Sequence, residues 1–135
     1  MENKQKHLEF IQNVITRMNT NSFLIKGWTI TIVAALFALA AKDSNKEYTL
    51  IPFIVIPVFW VLDGFFISQE RQYRGLYDHV RILDDTKIDF NMNASEYNHG
   101  RNTWLSGIFS FTLILLYFIL IFLSIVIKCL IINQL

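Results

Sequence analysis

From Thr103 to Ile127 the chain carries no charged side chain, and this constrains its fold more than any other feature. A water-soluble protein would have to bury such a run on every side, whereas a bilayer accepts it directly: about 20 apolar residues of helix cross the hydrocarbon. Two more runs behave alike. Phe23 to Ala41 is interrupted only by Lys26, and Thr49 to Ser68 only by Asp63. Backbone groups in hydrocarbon must pair within their own segment, so each run is expected to be a helix. The alternation that a membrane barrel needs is missing. Charged residues make up 17% of the 135 and mean hydropathy is +0.39, so one membrane unit fills the chain.

The expected fold is an all-α integral membrane protein with three transmembrane helices. Residues 1–22 form an N-terminal amphipathic helix, 23–41 the first span, 42–48 an outer loop and 49–68 the second span. Residues 69–102 form a cytoplasmic helix and loop that extend the second span, and 103–132 form the third span. About 30 residues of helix cover ~45 Å, more than the ~30 Å core. With no Gly or Pro after Gly107, one tilted helix is expected there rather than a hairpin of two short ones. Ala38-Leu39-Ala40 has the look of a signal cleavage site, but the polar stretch before it and the length of the apolar run favour a retained span.

Charge orients the spans. Lys4, Lys6, Arg17, Lys26, Arg71, Arg74, Arg81, Lys87 and Arg101 fall on one side, and Lys42, Lys46 and Lys128 on the other. The positive-inside rule then predicts a cytoplasmic N-terminus and an outer C-terminus in a bacterial inner membrane, with Trp28 and Trp104 near the cytoplasmic interface. Within residues 1–22, Leu8, Ile11, Val14, Ile15 and Met18 recur at helical spacing. That helix either lies on the membrane or packs on another cytoplasmic helix. The cap formers from Asn19 to Ser22 predict a bend or a new start, with one continuous helix as the alternative. The second span is expected to continue through Gln69–Leu83, with Pro52 and Pro57 starting or kinking its outer half. From Asp84 to Asn102, Asn91, Asn93, Asn98 and Gly100 predict an irregular loop, docked through Phe90 and Met92.

Ionisable residues inside spans are costly and point to function. Asp63 and Lys26 lie at similar depth in antiparallel runs and are expected to pair, either to fix register or to gate. Glu70, Arg71, Arg74, Asp78 and Arg81 form a charged helical face: a solvated ladder, a docking surface for a trigger or partner, or an anion site made by the arginines. Gly27, Ala34 and Ala38, with Ser106 and Ser110, offer small-residue helix packing within one subunit or between subunits. His7, His79 and His99 have no ligand spacing, and no catalytic motif is present, so no metal, no cofactor and no enzymatic activity are expected. Cys129, in an apolar run, reads as a small hydrophobe. A net charge of +1 argues against nucleic acid as a partner.

Three blocks carry a resemblance. The first comprises His7-Leu8-Glu9-Phe10-Ile11-Gln12, Arg17-Met18, Asn21-Ser22-Phe23 and Lys26-Gly27-Trp28. The second comprises Phe59-Trp60-x-Leu62-Asp63, Glu70-Arg71 and Arg74-x-Leu76-Tyr77-Asp78-x-Val80-Arg81. The third comprises Asp89-Phe90-x-Met92 and Phe109-Ser110-x-Thr112. Together they resemble small bacterial three-span membrane proteins of the kind found as effectors in anti-phage operons. The resemblance implies membrane damage triggered by a soluble sensor or nucleotide signal, and no catalytic residues.

The expected function is a pore-forming effector in antiviral defence, with the lipid bilayer, copies of itself and a cytoplasmic protein or nucleotide trigger as partners. The alternative is a non-conducting membrane anchor that recruits a soluble partner. Few polar residues line the spans, so a pore needs several subunits or lipid disruption.

Overall fold

The computed structural model describes residues 1–43 and 45–134; Ser44, in the expected outer loop, and Leu135 lie outside the described residues. The described residues are helices and short connections, without a strand. Helix α1 runs unbroken over Glu2–Asp43, at about 1.5 Å per residue some 63 Å long. It merges the expected N-terminal helix with the first expected span. The cap formers do not bend it, because Ser22 turns inward to a buried partner instead of capping a new start. Its buried positions, His7, Ile11, Ile15, Ser22, Thr29, Val33, Phe37 and Ala40, follow one helical stripe from end to end.

After Asn45, whose side chain caps one turn of 3-10 helix over Lys46–Thr49, helix α2 spans Pro52–Ile82. Pro52 opens it, where a missing N–H costs nothing, and Pro57 lies within its first two turns. The helix continues past Ser68 as its charge pattern predicts. Many of its buried residues fall at steps of four: Pro52, Ile56, then Gly64, Ser68, Gln72, Leu76 and Val80. Four residues advance a helix by about 400°, so the buried face turns by about 40° per step. It faces the apolar core first, then the connection to the last helix, and finally α1.

The third expected span is corrected. Residues 103–132 do not form one helix. A short helix α3 covers Trp104–Ile108, the chain turns at Phe109 and Ser110, and α4 runs over Phe111–Gln134. Two features impose the break. Gly107 sits against the backbone of α2, so close that a Cβ there would stand 2.4 Å from the Gly64 oxygen. The Trp60 indole N–H donates to the Ile108 carbonyl at 2.8 Å, taking the acceptor that a continuous helix would have offered to Thr112. On the other side of α3, Trp104 donates to the Val61 carbonyl at 2.9 Å. α4 alone, about 36 Å long, still exceeds the hydrocarbon thickness.

Helices α1, α2 and α4 are long and apolar enough to cross a membrane. They share a core of Val33, Phe37, Ala40, Ile56, Leu113, Tyr117 and Ile131. Outside it, Phe23, Trp28, Ile54, Val58, Phe111, Phe118 and Phe122 are exposed, far more apolar surface than a soluble monomer shows. Cys129 is also on the outside. The charged halves of α1 and α2 pack as an antiparallel stalk around Ile11, Ile15, Leu76, Val80 and Ala94.

The loop after α2 wraps this stalk. Three backbone N–H groups in succession donate to side chains two residues back: Asn91 to Asp89, Asn93 to Asn91, and Ser95 to Asn93. Met92 joins the stalk core, while Phe90 stays on the surface beside His7 and Phe10, with a positive φ of 55°. Gly75 leaves room for the Tyr97 ring, which a Cβ would meet at 2.9 Å.

Candidate functional site

Three side chains from two helices converge on a carboxylate carried by a third. Asp63 on α2 is fully buried. Its Oδ2 accepts from Lys26 Nζ on α1 at 2.7 Å and from the Tyr117 hydroxyl on α4 at 2.9 Å. Its Oδ1 accepts from the Ser22 hydroxyl, one turn before Lys26. Lys26 also donates to Ser22 Oγ at 2.7 Å. The Lys26 side chain is 20% exposed and opens toward the charged end of the bundle. Trp60 stacks on Tyr117, with ring centroids 5.7 Å apart and planes within 5°. A carboxylate with several donors is satisfied without water. The same donors bind the three long helices together at one depth. The other buried hydroxyls along the spans, those of Thr29, Thr49 and Ser124, donate to carbonyls three or four residues back in their own segments.

The expected Lys26–Asp63 pair is therefore formed. Ser22 and Tyr117 completed it unannounced. Ser22 had one legible signal, its position one turn from Lys26; Tyr117 had only its hydroxyl in an otherwise apolar run.

The charged face of α2 resolves into separate contacts. Arg74 donates twice to Glu70 Oε1, at 2.8 and 3.2 Å, and Arg81 meets Asp78 at 3.4 Å. The Arg81–Asp78 pair lies on the surface, where such pairs are worth about 0.2–0.5 kcal/mol, whereas Glu70 is largely covered beneath Arg74. Arg71 turns away from them and donates to the Arg101 carbonyl at 2.7 Å. Partial burial, and then the neighbouring Arg101 charge, hold its guanidinium below the usual arginine pKa, while Glu70 acts the other way. Two residues not expected in a site fix the connection behind it. Ser68 donates to the Asn102 carbonyl at 2.6 Å, and Gln72 reaches the same carbonyl at 3.1 Å.

Small-residue packing is redistributed. Gly27, Ala34 and Ala38 lie on the exposed face of α1, and a Cβ at Gly27 would meet nothing within 4 Å. They do not pack α1 within this chain, which corrects that half of the expectation. The close helix contact is made instead by Gly64 and Gly107, one from α2 and one from α3. Ser106 lies partly buried in α3, its backbone N–H bonded to the Thr103 hydroxyl. Ser110 Oγ is buried without a hydrogen-bond partner.

Beside the network, at the charged end, lies a cavity of about 500 Å³ bordered by Asn19, Ser22, Lys26, Glu70, Arg71, Arg74, Ser110 and Thr112. That is a size typical of small-molecule sites. Set against protein families, curated proteins and solved structures, the chain has no match.

Proposed function

We propose that this chain is a bacterial inner-membrane effector of anti-phage defence. It assembles with copies of itself and permeabilises or depolarises the membrane when a trigger acts on its cytoplasmic stalk. The observation that carries this reading is the buried Lys26–Asp63 pair, held by Ser22 and Tyr117 and linking all three long helices. In the resting state the pair locks the bundle. The stalk, with nine basic residues on its side of the membrane, is the cytoplasmic end by the positive-inside rule. A trigger that shifts α1 against α2 there would pull directly on the pair, because both helices run unbroken from stalk to network. The outward row of Gly27, Ala34 and Ala38 supplies a surface on which helices of neighbouring copies approach closely.

A non-conducting anchor is the second reading, and the apolar core favours it. Few polar side chains are buried along the spans among the described residues, which leaves one chain little to line an aqueous path. The test is membrane potential, read with a voltage-sensitive dye after induced expression and again during phage infection. The native chain should depolarise the cell once infection supplies the trigger, and Ala34→Leu with Ala38→Leu, by blocking close approach, should suppress this at equal membrane abundance. A potential that stays intact under both conditions, while a soluble partner co-purifies, would replace the effector with the anchor.

A further inference from the structure

The cavity beside the network has an electrostatic character that the lock does not explain. Lys26, Arg71 and Arg74 border it, and Arg101 stands behind Arg71. Two carboxylates oppose them, and each is already engaged: Asp63 with Lys26, Glu70 with Arg74. Arg71 is partly buried, close to a second guanidinium and bonded to a neutral carbonyl. Its planar fork has five N–H donors, and a carbonyl occupies few of them. Ser110, just before α4, and Thr112, in its first turn, border the same space. The break before α4 starts a new 24-residue helix whose first-turn residue Thr112 borders the cavity.

We infer that this cavity is a binding site for a phosphate group, carried either by an anionic lipid headgroup or by a soluble phosphate compound. A tetrahedral oxyanion matches donors offered from more than one helix: the Arg71 fork on α2, the Lys26 ammonium on α1 and the Thr112 hydroxyl in the first turn of α4. A carboxylate, being planar with two oxygens, would leave some of these unmet. Phe23 and Ile67 on the rim offer an apolar wall for whatever the phosphate is attached to. The bound anion would sit beside Lys26 and compete with Asp63 for its ammonium. The site rests on the cavity alone and does not require that the chain conduct ions.

The test uses the full chain in phosphatidylcholine nanodiscs. In one arm phosphatidic acid is mixed into the disc, and native mass spectrometry counts the molecules retained. In the other, pyrophosphate is titrated into lipid-neutral discs and the heat is measured. At least one probe should bind the native chain, and which one binds identifies the source. Arg71→Gln should weaken that binding roughly tenfold or more, as expected for the loss of a charge-assisted bond. Thr112→Val, which removes a hydroxyl on the cavity border and keeps the shape of the side chain, should weaken it less and keeps the test valid if Arg71→Gln misfolds. Retention of neither probe overturns the inference, as does binding that neither substitution alters. Dye measurements on the same variants report separately on the effector reading.

Discussion

Replacing Gly107 by alanine tests the least expected feature of the fold, the docking of α3 on α2. The added methyl would stand 2.4 Å from the Gly64 carbonyl oxygen and 3.2 Å from the Ser68 nitrogen, both backbone atoms that cannot rotate aside. Ordinary contact begins near 3.4 Å, so α3 must retreat by about 1 Å. That movement stretches the Trp60–Ile108 and Trp104–Val61 hydrogen bonds, each worth about 1 kcal/mol. Overpacking of this kind costs about 1–3 kcal/mol, and the better helix propensity of alanine returns about 0.5–1 kcal/mol. At mid-range values the clash wins, with a net loss of about 1 kcal/mol, or roughly fivefold in the folding equilibrium. Unfolding of the purified chain by SDS in mild-detergent micelles, followed by circular dichroism and tryptophan emission, measures it. Both indoles that grip this segment should report the loosening. Native stability together with native emission would refute the close contact. Gly64→Ala meets the same wall from the other side, 2.8 Å from the Ile108 Cα, so the two losses should not add.

The opposite result is expected for Gly27→Ala, whose methyl enters open space: stability within one chain holds, and crosslinked oligomers change in yield. Lys26→Met alone leaves Asp63 buried without its cation and should cost about 3–5 kcal/mol, whereas Lys26→Met with Asp63→Leu should recover most of it; SDS unfolding of the set shows whether the pair is coupled. Burial, and then Glu96, raise the Tyr97 phenol above its ordinary value of 10.0. The folded state thus favours the neutral phenol. That stabilisation is full below pH 10 and lost as pH rises through the folded value, which an ultraviolet titration of phenolate against loop protection in hydrogen exchange would follow.

Much of this architecture was legible because it rests on composition and charge. The apolar runs marked the three long helices, and the stripes through Ile11 and Ile15 and through Leu76 and Val80 marked the stalk. The depth of Lys26 and Asp63 in antiparallel runs predicted their contact. What stayed hidden depends on tertiary partners. The break after Ile108 has no local breaker; it arises because Trp60, far away in sequence, claims a carbonyl and Gly107 fits against Gly64. The cap formers at 19–22 were outweighed because Ser22 gains more from a buried carboxylate than from a helix start. Small residues on α1 suggested packing, but only the assembled bundle shows which faces are turned outward.

The effector account turns on whether the Asp63 network holds a membrane-breaching assembly closed. The most direct measurement is potassium leak from vesicles reconstituted with equal amounts of the native chain or Asp63→Asn, a change that keeps the shape of the side chain and removes its charge. If the pair is the lock, Asp63→Asn vesicles lose their gradient without any trigger while native vesicles hold theirs. Equal and tight retention by both, with the variant folded and inserted, would contradict the account and leave the pair as a structural staple.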